Sequence, residues 1–306
     1  MSIPINQQKT MKKFLSIPML LMVGFANVMA QDTLYVKDSV IYDTKGNSAI
    51  ITNFAETKRP SPYIVPIKKD GPIIAGLLGL NVLGVHLINN KKELTPEQLA
   101  TKTKDKVPFF DRGNVGYFDE SIDKASYVPF YASFAWPVVM MLADGDQTRN
   151  IGQVLTLYIE TMAVTGAMFS ITAGAINRSR PLVYGTETPM HRRVSRNSQR
   201  SFYAGHTAAT AASTFFTAKV FSDMNPDSKL KPYVWVVAAA VPALVGYQRY
   251  QSGQHFLSDN ILGYTLGAAT GILIPHWHKT KKNNDLSIMP GFGPNYQGVS
   301  VVYKIR

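Results

Sequence analysis

A chain of 306 residues with 45% hydrophobic side chains has material for one large core or two small ones. It has no cysteine, which excludes disulfide stabilisation and thiolate or zinc–thiolate chemistry. A net charge of +12 with no nucleic-acid motif suits anionic lipid surfaces or phosphorylated substrates, and not DNA or RNA.

The first thirty residues read as an export signal. Lys12-Lys13 precede an apolar run over 14–28, and Val28-Met29-Ala30 supplies small residues ahead of a cut before Gln31. Met11 is an alternative start, and an uncleaved anchor is the alternative to a cleaved signal peptide over 1–30. Residues 31–72 form a mixed polar segment in which 33–36 and 49–52 predict short strands around Gly46-Asn47.

From 73 to 278 the pattern is helical. Apolar segments run over about 73–88, 128–143, 151–176, 207–221, 233–247 and 256–274. A charged excursion over 91–124, with Pro96 and Gly113, separates the first two and holds at most one short helix. The tail 279–306 starts basic, with Lys279, Lys281 and Lys282. It then predicts a terminal hairpin from 286–288 and 299–303 around a Gly/Pro/Asn turn.

Crossing a bilayer takes about 20 apolar residues, and 151–176 and 256–274 come nearest to that. A soluble bundle is the competing reading. If the second to sixth segments cross and the first lies on the surface, the 223–231 loop and the Lys279 tail share the cytoplasmic side. The chemistry-bearing motifs described next then face the periplasm, the placement the exported start favours. If all six cross after a cleaved signal, the parity reverses.

Three pieces carry chemistry. They are Arg180-Pro181, the loop 201–207 with Gly205-His206, and Arg249…His255…Asp259. His255 and Asp259 are four apart, one turn on a helix, which lets the carboxylate hold one imidazole nitrogen and leave the other basic. Arg249 is placed to bind an anion. In this order the pieces point to phosphoryl transfer.

The three pieces resemble the motifs of the type 2 phosphatidic acid phosphatases, whose core is shared with bacterial acid phosphatases and vanadium haloperoxidases. The resemblance covers roughly 151–277. Where the family has a lysine seven residues before Arg180, this chain has Ala173. Ala204 and Tyr203 stand for the serine and proline before Gly-His, and Gln248 for the serine before Arg249.

The resemblance implies an all-α helical bundle of about six helices, membrane-associated, with small hairpin-like terminal segments. It implies a phosphatase acting on a phosphorylated lipid or small phosphoester. His255 is its nucleophile, His206 its general acid and base, and Asp259 orients His255. Arg180, Arg249, the Gly205 amide and Arg178 would hold the phosphate, Arg178 standing in for the missing lysine. No metal and no cofactor is expected, and the partners are the substrate and membrane lipids, with no nucleic acid. A soluble exported acid phosphatase, a vanadate-dependent haloperoxidase and a degenerate phosphate binder are the alternatives.

Other features have blander readings. Glu160 reads as a core hydrogen-bonding group. His276-Trp277-His278 lacks a third ligand and reads as an interfacial aromatic belt. Arg192, Arg193, Arg196 and Arg200 read either as a solvated loop or as a phosphate-binding one.

Overall fold

The computed structural model describes residues 37–42, 48–53, 61–280, 286–293 and 296–303, with side chains over 61–280. The expected export segment 1–30 lies outside the described residues. Strands β1 (Lys37–Tyr42) and β2 (Ser48–Asn53) pair antiparallel. The second covers the expected strand at 49–52, whereas the one expected at 33–36 lies outside the described residues. After the helical body, β3 (Leu286–Gly293) and β4 (Tyr296–Tyr303) pair antiparallel, as the tail pattern predicts.

The body is all-α, with six long helices where six apolar segments were expected. They are α1 (Ile67–Asn89), α3 (Glu120–Ala143), α5 (Ile151–Ala175), α7 (Gly205–Met224), α8 (Lys231–Gln251) and α9 (Leu257–His278). Short helices α2 (Pro96–Ala100), α4 (Gly145–Arg149) and α6 (Met190–Val194) sit in the connections. Asp119 caps α3 by accepting from the Ser121 and Ile122 amides, so the chain enters that helix eight residues before the apolar run.

α7 is the centre of the bundle. Its small side chains, Ala208, Ala211, Ala212 and Ser213 among them, are wholly buried. Ala208 and Ala212 face a glycine stripe on α9, while Ser213 bonds to the Ser133 carbonyl on α3. A Cβ on Gly263 would stand 2.5 Å from the Ala204 carbonyl oxygen, and one on Gly271 would stand 2.5 Å from that of Ala212. A Cβ on Gly267 would lie deeper still inside the Ala208 carbonyl. The two backbones are therefore in contact, the packing that small residues four apart permit. Away from this seam, Met141, Leu157, Phe216 and Val220 form one apolar cluster, and Trp136, Phe221 and Val234 another.

Apolar side chains also cover the outside, including Leu78, Val82 and Val85 on α1, Leu142 on α3, Leu155 on α5 and Trp277 on α9. Helices α1, α3 and α5 are long and apolar enough to cross a membrane. With so much apolar surface outside, the body is membrane-associated.

Of the two segments that came nearest to a span, 151–176 meets the length and composition and 256–274 does not. α9 is diluted by Ser258, Asp259 and its glycines, whereas α1 starts at Ile67, ahead of Pro72, and is the most apolar of the three, with mean hydropathy 1.8. α1 is no surface helix by composition.

The seam gives a test. Gly267→Ala should cost about 1–3 kcal/mol, because a carbonyl oxygen of the backbone cannot step aside. Gly76→Ala, with nothing within 4 Å of its would-be Cβ, should be neutral or better. Thermal melts of the two variants in detergent check the contrast.

Candidate active site

Every motif residue lies at one end of the bundle. α5 ends at Ala175, and Arg180 enters a 3-10 turn over Pro181–Tyr184, where proline suits the first position. Arg249 is in the last turn of α8. Between α8 and α9 the chain reverses through Gly253, which has φ +70 and lies against the Tyr117 carbonyl, so only glycine fits. His255 follows in this reversal, and Asp259 sits in the first turn of α9.

Three guanidinium groups converge here. Arg180 and Arg249 are buried, at 5% and 2% exposure. Arg180 donates from Nη1 to Gln254 Oε1; Arg249 donates from Nη1 to Asp123 Oδ1 and, at 3.3 Å, to Ser126 Oγ. The Nε donor of each has no partner. Burial lowers the Arg180 pKa well below its ordinary value, and the charges of Arg249 and Arg200 add to the effect. His206, at the start of α7, lies within electrostatic reach of Arg249, Arg180 and Arg200. Its ring packs against Tyr127 and Phe130, with centroids 5.1 and 4.3 Å away. Buried donors left unpaired and like charges held together define a pocket for an anion.

The start of α7 adds to it. Its N-cap is Ala204, which supplies no side-chain acceptor, so the first-turn amides, Gly205 among them, are available. A Cβ on Gly205 would meet the Phe169 ring at 2.5 Å, so glycine also lets the helix start this close to α5.

His255 is oriented differently from the expectation. Its Nδ1 lies 2.7 Å from the Ser201 carbonyl oxygen. A carbonyl only accepts, so Nδ1 carries the hydrogen and Nε2 keeps its lone pair. Burial, followed by the charges of Arg180 and Arg249, holds the His255 pKa well below the usual histidine value, so the ring is neutral at neutral pH. Asp259 does not hold the imidazole. Its Oδ2 accepts from Ser201 Oγ at 2.6 Å and from the Phe256 amide at 3.0 Å, and its Oδ1 accepts from Arg178. The reason is local: His255 precedes α9 and Phe256 is extended, with ψ 168, so the one-turn helical relation never forms. Asp259 acts one step away, fixing the loop whose carbonyl fixes His255.

Arg178 is likewise redirected. Its guanidinium is shared between Asp259 and Asp111, the latter at 2.6 Å, and lies 4.7 Å from the Phe256 ring centroid. With two carboxylates on it, it is a strut between loops and no substitute for the family's lysine. Arg200 lies within electrostatic reach of Arg180. It lies near Arg249 and Tyr127, and the Lys91 ammonium stands behind it, held 2.8 Å from the Ile176 carbonyl just beyond α5. Ala173 itself is fully buried.

Sequence reasoning missed the cover of the site. The 91–124 excursion supplies Asp111 to Arg178 and Ser258, and Asn114 to the Tyr250 and His255 carbonyls at 2.9 Å each. It also supplies Asp123 to Arg249. Its charged composition was visible, but no spacing rule says which distant cation each acid meets.

Residues 154–283 match the model of the PAP2 superfamily. That segment is a PAP2-superfamily domain. Among solved structures, the chain is similar to the crystal structure of Aquifex aeolicus LpxE, with 17% identity and a TM-score of 0.39, over 56% of this chain and 98% of that one. It is also similar to the transmembrane PAP2-type phosphatidylglycerolphosphate phosphatase from Bacillus subtilis, with 16% identity and a TM-score of 0.32, over 66% and 94%. No curated protein sequence matches the chain.

The neutral, buried His255 has a measurable consequence. Its folded pKa is depressed, so below the unfolded value of about 6.5 the unfolded chain binds a proton that the folded chain refuses. The stability present above that pH should be lost progressively as pH falls. Denaturant midpoints at pH 7.5 and 5.0 should drop more for the native chain than for His255→Asn.

Proposed function

We propose that the protein is a phosphatase that hydrolyses a phosphate monoester or pyrophosphate on a membrane lipid through a phosphohistidine at His255. One observation carries this: two buried arginines with unpartnered Nε donors flank a histidine whose nucleophilic nitrogen is left free by a carbonyl on the other. The PAP2 match and the apolar exterior support it.

In the first step His255 Nε2 attacks phosphorus in line and the ester oxygen leaves with a proton from His206. Burial and the three arginines hold the His206 ring neutral in the free protein, and it takes up that proton with the anionic substrate, whose charge offsets theirs. Charge on the equatorial oxygens is met by Arg180, Arg249, Arg200 and the amides at the start of α7. In the second step His206 takes a proton from water, which attacks the phosphohistidine and releases phosphate. Asp259, Ser201 and Arg178 hold the geometry and do not touch the substrate. A lipid is favoured over a soluble ester because the site lies at the end of helices whose flanks are apolar.

Phosphate release from lipid and soluble phosphoesters by the detergent-purified protein tests the proposal. His255→Ala should lose at least about a thousandfold in turnover, as loss of a nucleophile does. Asp259→Asn should lose less. Arg200→Ala should lower kcat/KM at least about tenfold, and Arg196→Ala, whose guanidinium sits on the Asn89 carbonyl, should not. Retained turnover in His255→Ala removes the phosphohistidine. An inert wild-type chain that still binds phosphate would favour the degenerate binder suggested by Ala173 and Ala204.

A further inference from the structure

At the opposite end of the bundle three helices bring Asp70 of α1, Glu160 of α5 and His278 of α9 together. Asp259 and His278 mark the two ends of α9, about 28 Å apart at the usual helical rise, so this cluster is separate from the arginine pocket.

His278 Nδ1 lies 2.9 Å from the Ile274 carbonyl oxygen, which can only accept, so Nδ1 carries a hydrogen. Its other nitrogen, Nε2, lies 3.5 Å from Asp70 Oδ2 and 3.5 Å from Glu160 Oε2. Both oxygens are buried and have no hydrogen-bond partner, in residues only 2% and 5% exposed. Two carboxylate oxygens and an imidazole nitrogen thus converge, all within 4.8 Å of one another.

We propose that Asp70, Glu160 and His278 form a structural site for a divalent transition-metal ion, zinc foremost. A proton on Nε2 would draw a carboxylate to about 2.7–2.9 Å and offset only one of two buried negative charges. A divalent ion offsets both. Tetrahedral ligands about 2.0–2.1 Å from zinc stand about 3.4 Å from one another, which matches the spacing from Nε2 to each oxygen. The carbonyl on Nδ1 is the partner that a metal-bound histidine ordinarily has.

The ion's role follows from what it joins. In its most apolar stretch α1 buries only 6% of its residues against the body, and its polar ties there include Asn81 Nδ2 to the Ala163 carbonyl at 3.0 Å. A metal held by three helices would fasten α1 to α5 and α9. His276-Trp277-His278 shows no third ligand in sequence because its partners lie more than a hundred residues away, on other helices.

The test uses the full chain in detergent, stripped with a chelator and titrated with Zn2+ or Co2+. The wild type should take up about one equivalent, develop the visible bands of Co2+ bound by nitrogen and oxygen, and melt on the order of 5 °C higher with Zn2+. Glu160→Gln and His278→Ala should lose the bands and the shift while keeping phosphate release within about twofold, since neither touches the arginine pocket. Asp70→Asn repeats the measurement if either of those fails to fold. A stripped wild type that shows no bands and no shift, or variants that bind Co2+ as the wild type does, would overturn the site.

Discussion

The arrangement depends on the backbone contact between α7 and α9. Gly263, Gly267 and Gly271 present no side chains to Ala204, Ala208 and Ala212, so the helices approach until carbonyl oxygens face α-carbons. Small residues four apart are what lets two helix backbones come this close, and the contact area between them then holds the pair. The seam sets His206 at one end of α7 beside the reversal that carries His255. The Ala204 amide, bonded to the Asp259 carbonyl at 3.1 Å, locks the register where it matters.

Against that frame stands a cost. Arg180 and Arg249 are out of water, near each other and near Arg200, with Asp123 accepting from Arg249. Removing guanidinium groups from solvent costs several kcal/mol each unless charge and hydrogen bonds compensate. The compensation here is incomplete, since both Nε donors lack partners. A pocket of that kind stores a preference for an anion with several oxygens, and the energy missing in the free protein is available on binding. The neutral state of His255 has the same source, because a positive ring beside these arginines would be resisted.

Much of this was legible in sequence, and the limits have physical causes. Six apolar segments became six helices because period and length are local properties. Arg180-Pro181, Gly205-His206 and Arg249…His255…Asp259 came together because their spacing belongs to local turns and helix ends. The roles of Asp259 and Arg178 were misread, since a four-residue spacing means one helical turn only inside a helix, and His255 sits just outside one. Arg200 was one of four arginines in a loop, and only its nearness to Arg180, Arg249 and Tyr127 singles it out. The 91–124 excursion showed only as a charged connection, yet Asp111, Asn114 and Asp123 are the acids and amide that the cations and carbonyls of the site meet. Long-range pairing of this kind has no period to read.

The two ends of the described helical body are stitched side by side. The Ile64 amide bonds to the His278 carbonyl at 2.9 Å, and the Thr280 amide to the Pro62 carbonyl at 2.7 Å. Tyr63 Oη and the Lys279 ammonium then meet on Asp223, at 2.9 and 2.7 Å. Mechanically this is a clasp. Tension applied at the two ends of the body is carried across these few bonds at one rim, while the reversal that carries His255 at the far end of α9 bears no load until the clasp opens.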